Sequence, residues 1–181
     1  MRFKTQEEYE KFMTDRGLQP ELFKEKTLTH GHQVGTPDNL KVVRFTVLGD
    51  PIHKGRPRVS TKGRFPVIYT DSKTRKGEEE FLQKALPFRP PKPFEGYLKA
   101  EITAVYTIPK SFSKSKAEKA LAGRIRPTKQ DADNVAKAVL DSLNKVFYVN
   151  DNLIVKLVVE KIYGETAKTE VVLEEIGNGT D

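Results

Sequence analysis

The sequence contains no cysteine and no tryptophan, and it has no long apolar run. The absence of cysteine excludes disulfide bonds and thiolate metal sites. A membrane-spanning helix needs about 20 mostly apolar residues, and no segment comes close to this length, so we expect no membrane partner. The glycine-rich patterns that hold ATP or NAD are also missing, so no nucleotide cofactor is expected.

Positive charge is what the sequence has in excess. Its 181 residues include 32 lysines and arginines against 25 acidic residues, a formal net charge of +7. This excess favours a polyanionic partner, because lysine and arginine displace the counterions around nucleic-acid phosphates. A basic protein with no nucleic-acid role is the alternative. The charged N-terminus lacks the apolar centre of a secretory signal, so the expected location is the cytoplasm.

The order of predicted elements indicates the fold class. Apolar β-branched runs predict strands over 41–49 and 97–108, and two adjacent strands over 152–164 and 168–177. Helical patterns lie between them, so we expect an α/β (α+β) domain with a single mixed sheet and packed helices. The expected parts are a short helical N-terminal extension with a linker over 1–40, the domain over 41–177 and a tail over 178–181.

The most basic part of the chain is residues 52–81. Its glycines and proline predict a loop or loose hairpin with VIYT as the return strand, followed by a helix from about 73 to 86. The cations are too dense for an ordinary solvated face, so they predict a DNA-contacting surface whose binding weakens steeply with salt. This predicted DNA surface consists of Lys54, Arg56, Arg58, Lys62, Arg64, Lys73, Arg75 and Lys76.

Acidic residues gather in the stretch RPTKQDADNVAKAVLDSLNKVFYVND, residues 126–151. A helix from near Asp133 to about Lys145 turns an apolar stripe towards the core. Asp131 or Asp133 could cap the start of this helix, where the helix dipole favours negative charge. Capping needs one acceptor, however, and two close carboxylates repel each other unless a cation lies between them. The pair therefore indicates a site for a hard ion such as Mg²⁺.

Asp151 is the third candidate ligand. It stands where an apolar strand begins, and an Asn-Asp turn is the structural alternative for this position. It can lie near the start of the helix only if helix and strand depart from their expected relative direction, or if a neighbouring molecule helps. The residues alone leave both arrangements open.

The segment DADNVAKAVLDSL, followed by VFYVNDNLI, resembles the RusA family of Holliday junction resolvases. The resemblance implies a RusA-like fold and three acidic metal ligands, Asp131, Asp133 and Asp151. By the same resemblance, these residues are expected to bind Mg²⁺, with Mn²⁺ as a substitute, and Lys137 is expected to be needed for cleavage. It also implies a homodimer that makes paired symmetric nicks across a four-way DNA junction, in DNA recombination and repair.

The sequence departs from the family pattern in two places. Residue 150 is Asn where some members carry a second Asp, and residues 1–40 have no counterpart in the minimal pattern. The resemblance is specific over 127–161 and follows the order of elements more widely.

The chemical groups of these residues suit the hydrolysis of a phosphodiester. It needs an activated water and a Lewis acid on a non-bridging oxygen, and a metal held by carboxylates supplies both. Lys137, one turn after Asp133, could offset the charge that grows on the phosphoryl group. Asp141 is expected to hold Lys137 through an i, i+4 pair of about 0.2–0.5 kcal/mol. Asn134 is expected to support the motif.

Two other functions stay open. The first is a non-catalytic nucleic-acid-binding protein whose Asp cluster only caps a helix. The second and more remote one is a sugar-nucleotide transferase that uses Asp-x-Asp for its metal, although such motifs usually end a hydrophobic strand.

Overall fold

The structure is a computed structural model that describes residues 41–55, 65 and 72–177, and the backbone alone of 31–34, 58–60 and 67–69. The predicted helix of the N-terminal extension and the C-terminal tail lie outside the described residues. One part of the predicted linker is a strand: Gly31–Val34 pairs antiparallel with the first strand of the domain. The sequence did not predict this strand, because it is short and lies among turn-forming residues.

A five-stranded mixed sheet forms the centre of the fold, in the order β1-β2-β7-β5-β6. Strands β5 and β6 are parallel, and the other neighbours are antiparallel. The predicted α+β class with one mixed sheet is thus confirmed. The prediction that the last two strands are adjacent was wrong, because β5 lies between β6 and β7 and pairs with both. The strands of this sheet are β1 (Gly31–Val34), β2 (Val42–Leu48), β5 (Tyr97–Thr107), β6 (Ile154–Gly164) and β7 (Lys168–Gly177).

The predicted hairpin in the basic region is also confirmed. Strands β3 (Arg58–Ser60) and β4 (Val67–Tyr69) pair antiparallel as a separate two-stranded sheet. Phe65 lies between them and is 74% exposed. The basic region therefore presents an aromatic side chain to solvent.

Three helices pack with the sheet, close to where the sequence predicts them. They are α1 (Ser72–Ala85), α2 (Lys114–Leu121) and α3 (Ala132–Leu143). The side chain of Ser113 accepts a bond from the Lys116 N–H (3.4 Å) and caps α2. No helix in the described part of the chain is long and apolar enough to cross a membrane.

The apolar stripe of α3 is buried, as its periodicity predicts. Val135, Val139 and Leu143 have no exposed surface. Val135 packs in a cluster with Tyr106, near the end of β5. The other end of the helix lies near the start of β5. There the Phe94 N–H, just before β5, donates to the Phe147 carbonyl in the turn after α3 (2.9 Å). Helix α3 therefore runs antiparallel to β5 and to its parallel neighbour β6.

Candidate active site

Asp131 occupies the N-cap position of α3 without acting as a cap. Its backbone is extended, and its side chain accepts no hydrogen bond from the N–H groups of the helix. Its carboxylate oxygen Oδ2 instead accepts a bond from the Asn134 side-chain amide (3.4 Å). Asp133 lies in the first turn of the helix, and both acidic residues are exposed. Capping therefore does not account for the Asp131 carboxylate.

Gln130, the residue before Asp131, has a left-handed backbone with φ of 63°. Two strands hold it there. The Tyr106 hydroxyl on β5 donates to the Gln130 side-chain oxygen (2.8 Å), and the Lys161 ammonium on β6 donates to the Gln130 carbonyl. The approach of the chain to Asp131 is therefore fixed from the sheet.

The loop after β2 lies against the first turn of α3. The Lys54 N–H donates to the Asn134 carbonyl (2.9 Å), and the Gly55 N–H donates to the Thr74 hydroxyl oxygen at the start of α1 (3.2 Å). Asn134 thus contacts Asp131 through its side chain and the loop through its backbone. Its predicted support of the motif agrees with both contacts.

Lys54 holds two helices together. Its ammonium lies 2.5 Å from a Glu78 oxygen on α1 and 2.8 Å from an Asp141 oxygen on α3. Burial lowers the pKa of Lys54, but hydrogen bonds to Asp141 and Glu78 outweigh this effect and raise it. The side chain is 19% exposed. Its charge is therefore directed at these two carboxylates, whereas the sequence predicted it as part of the DNA surface.

The predicted pair of Lys137 and Asp141 was wrong, because Asp141 binds Lys54 instead. Lys54 approaches from another segment and is already held by Glu78, so a pattern confined to α3 cannot reveal it. Lys137 is exposed and makes no ion pair within the described residues. It lies one turn from Asp133 on the same side of the helix, as the spacing predicts.

Asp151 begins a short 3-10 helix, Asp151–Leu153, that leads into β6. The turn expected as the structural alternative is present, but Asn150 supplies its acceptor: the Asn150 side chain accepts from the Asn152 N–H (3.3 Å). The Asp151 side chain is exposed. The turn therefore leaves the Asp151 carboxylate free for another role.

Asp151 lies at the far end of α3 from Asp131 and Asp133. The Tyr148 hydroxyl donates to the Leu140 carbonyl near the end of the helix (2.5 Å). Burial, followed by the charges of Asp141 and Asp151, raises the pKa of this hydroxyl. The Val149 N–H donates to the Phe94 carbonyl ahead of β5 (3.1 Å), so the chain approaches Asp151 at the end of the sheet where α3 ends. Leu140 lies about 10 Å beyond Asp133 along the axis, at a rise of about 1.5 Å per residue.

The direction of β6 also places Asp151 far from Asp131. Lys161 contacts Gln130, next to Asp131, whereas Asp151 precedes the start of the strand at Ile154. Lys161 and Ile154 are about 23 Å apart along the strand, at about 3.3 Å per residue. No group of three or more His, Cys, Asp or Glu in the described part of the chain is placed to hold a metal ion. Asp131 and Asp133 thus stand together at the start of α3, and Asp151 lies apart from both.

The remaining residues of the predicted DNA surface are only partly described. Lys73, Arg75 and Lys76 are exposed on the first turns of α1, and the last two lie 3.8 Å from Glu79 and Glu80 in i, i+4 pairs. Arg58 is described through its backbone in β3 alone. Arg56, Lys62 and Arg64 lie outside the described residues.

His53 is a nearby residue that the sequence reasoning missed. Burial and the charges of Lys129 and Lys73 lower its pKa. His53 directly precedes Lys54, whose N–H bonds to the first turn of α3. Tyr106 and Lys161 were missed as well. A lone His in a basic loop and polar residues within apolar strands carry no distinctive spacing, so only the fold reveals their positions.

An α+β domain that exposes two carboxylates and a lysine on one helix, in a chain that also contains a basic hairpin, has the features of a hydrolase that acts on nucleic acid. The chain matches the family model of endodeoxyribonuclease RusA over residues 49–174. It therefore belongs to the RusA endodeoxyribonuclease family, as the resemblance predicted. It is also 35% identical, over 137 residues, to the uncharacterized protein YqaN of Bacillus subtilis (strain 168), covering 74% of this chain and 96% of that protein.

Proposed function

We propose that this endodeoxyribonuclease resolves four-way DNA junctions with the help of a divalent metal ion. The observation that carries the proposal is the Asp131 carboxylate, which stands at a helix start without capping it and beside a second exposed carboxylate. A carboxylate that accepts no bond from the backbone N–H groups of the helix, and only one from a side-chain amide, keeps lone pairs that can bind a cation. Family membership supports DNA as the substrate.

The residues fit Mg²⁺, which binds through one or two carboxylates and fills its other positions with water and phosphate. Asp131 and Asp133 are the ligands from one protomer. When bound, the ion supplies Lewis-acid polarisation of the scissile phosphate and activation of the attacking water. Mn²⁺, which also prefers carboxylate and water ligands, is expected to substitute.

The protein's own groups complete the chemistry. Lys137, on the same side of α3 as Asp133, stabilises the negative charge that grows on the phosphoryl oxygens. Asn134 holds the Asp131 carboxylate through its side-chain amide. The Lys54 contacts with Glu78 and Asp141 keep α1 and α3 in register. These groups orient the site before DNA arrives.

The third predicted ligand, Asp151, comes from a second protomer in this proposal. It lies too far from Asp131 and Asp133 within one chain, yet it is exposed and unused by its own turn. A homodimer then contains two composite sites, one for each of two strands. Paired nicks across a junction follow from that symmetry.

The test is incubation with a synthetic four-way junction labelled in turn on each strand, with Mg²⁺ or with EDTA. We expect paired symmetric nicks that require the metal, and much slower cutting of linear duplex. Asp131→Asn, Asp133→Asn and Asp151→Asn are each expected to abolish cleavage while junction binding survives. Glu118→Gln, an exposed position on α2, is the control and should cut normally.

Two results would contradict the proposal. Normal cutting by the Asp131 or Asp133 variants would remove the metal assignment. Junction binding without any cutting by the wild-type protein, in Mg²⁺ or Mn²⁺, would favour the non-catalytic alternative.

A further inference from the structure

The segment between β5 and the acidic pair, Asp131 and Asp133, is strongly basic. Residues 108–130 contain seven lysines and arginines and a single acidic residue, Glu118, and all eight side chains are exposed. None of these cations belongs to the predicted DNA surface. In an endodeoxyribonuclease, such an excess of exposed positive charge favours contact with nucleic-acid phosphates.

This segment and the predicted DNA surface both leave the sheet at the end where the acidic pair lies. Strands β2 and β5 run in the same direction, because each is antiparallel to β7. The loop after β2 reaches the first turn of α3, where the Lys54 N–H donates to the Asn134 carbonyl (2.9 Å). The segment after β5 leads directly into Asp131. Two basic parts of the chain therefore converge on the start of α3.

The two parts approach the acidic pair from opposite sides. Helix α1 packs against α3 and against β2, whereas β6 is the last strand at the other side of the sheet. Residues 108–130 lie along β6: the Phe112 ring contacts Tyr163 (5.6 Å between centroids), and the Arg126 guanidinium donates to a Glu160 oxygen (2.9 Å). Helix α3 contacts both α1 and β6, so the acidic pair at its start lies between the two basic parts.

Four cations lie between the last turn of α2 and the acidic pair, and we call them the second basic surface: Lys119, Arg124, Arg126 and Lys129. The turn that ends α2 brings the backbones of two of them together, since the Arg124 N–H donates to the Lys119 carbonyl (2.9 Å). Within the described residues, only Arg126 makes an ion pair, with Glu160. The other three charges have no acidic partner there and are available to phosphates.

We propose that the second basic surface binds the phosphate backbone of the duplex arm on one side of the cut, while the predicted DNA surface holds the arm on the other side. Duplex DNA carries one negative charge per about 1.7 Å of its axis, so a strand cut at the acidic pair presents phosphates in both directions. Phosphate contacts position DNA without reading its sequence. The inference rests on the proposed function, because it assigns a second arm of the substrate to a surface beside the same site.

The first test is the salt dependence of junction binding, measured by fluorescence anisotropy in Ca²⁺ to prevent cutting. The triple variant Lys119→Gln, Arg124→Gln and Lys129→Gln removes the three unpaired cations. We expect the slope of log affinity against log salt concentration to fall by roughly two to three, at about 0.9 for each lost phosphate contact. Lys114→Gln is the matched control, because Lys114 begins α2 and the helical spacing places it on the side of Glu118.

Hydroxyl-radical footprinting of the same complexes locates the arm. In the triple variant we expect protection to be lost on one side of the nick position. In a variant with Lys73→Gln, Arg75→Gln and Lys76→Gln on α1, we expect it to be lost on the other side. Circular dichroism checks that each variant is folded.

An unchanged salt slope in the folded triple variant would overturn the proposal, as would a loss of protection at the same phosphates as in the α1 variant. The junction cutting assay separates this failure from a failure of the proposed function. If the second basic surface does not bind DNA, the wild-type protein still cuts junctions. If the function is wrong, the salt slope still falls in the triple variant, but no nicks appear with the wild-type protein.

Discussion

At the scale of single residues, the proposed metal site depends most on Asp131. A carboxylate at a helix start normally caps that helix, and this one does not. Loss of a true cap costs about 0.5–2 kcal/mol. Asp131 accepts no cap bond, so we expect Asp131→Ala to change the free energy of unfolding by less than about 0.5 kcal/mol, beyond a small dipole effect. Urea denaturation measures this. A loss above about 1 kcal/mol would restore the capping interpretation.

For Lys54, in contrast to Asp131, we expect substitution to lower the free energy of unfolding. Lys54→Met leaves Glu78 and Asp141 without their cation, and we expect a loss of about 1–2 kcal/mol, reduced from fully buried pairs because Asp141 is a third exposed. The raised pKa of Lys54 means that its contribution is complete below the ordinary value of 10.5 and disappears as the pH rises above it. Unfolding experiments at pH 8 and at pH above 11 should therefore show the difference from wild type shrinking.

His53 makes a prediction about pH and DNA. Burial and the neighbouring lysines lower its pKa in the free protein, so the imidazole is neutral at neutral pH. DNA phosphates close to Lys129 and Lys73 would offset those positive charges and raise the His53 pKa again. Nuclear magnetic resonance titration of His53 with and without a junction measures this shift. An unchanged His53 pKa would place DNA elsewhere.

At the scale of elements, the predicted DNA surface contains an exposed aromatic ring, Phe65 of the basic hairpin, as well as cations. Base stacking on an aromatic side chain contributes about 1–3 kcal/mol. We expect Phe65→Ala to weaken junction binding by roughly tenfold, and Phe65→Tyr to bind like wild type. Fluorescence anisotropy with a labelled junction, in Ca²⁺ to prevent cutting, gives both affinities. Equal affinities for the Ala and wild-type proteins would exclude stacking.

The cations of α1 are best tested through salt dependence. Each phosphate contact contributes about 0.9 to the slope of log affinity against log salt concentration. Lys73→Gln, Arg75→Gln and Lys76→Gln together should reduce the slope by roughly two to three, whereas Lys114→Gln on α2 should not change it. An unchanged slope in the triple variant would remove α1 from the DNA surface.

Helices and strands with a regular repeat of apolar residues could be predicted well from the sequence, and those without such a repeat could not. Helix α3 repeats Val135, Val139 and Leu143 on one side, and the structure buries all three. The strand Gly31–Val34 was missed because it is short and lies among turn-forming residues. The spacing of residues along α3 also did not reveal the ion-pair partner of Asp141, because that partner, Lys54, comes from a distant segment.

At the scale of the whole molecule, the direction of α3 decides how the active site is built. The sequence predicts the helix and the strand that follows it, but not which end of each meets the other. Because α3 runs antiparallel to β5 and β6, Asp131 and Asp133 lie at one end and Asp151 at the other. The proposed set of three carboxylates would therefore require two protomers.

A purified heterodimer tests this claim most directly. One protomer carries Asp131→Asn and Asp133→Asn, the other carries Asp151→Asn, and two different affinity tags isolate the mixed species. If the site is shared, the heterodimer contains one intact site and nicks one strand of a four-way junction in Mg²⁺, although each variant alone is inactive. An inactive heterodimer, beside an active one that pairs the double variant with wild type, would contradict the account.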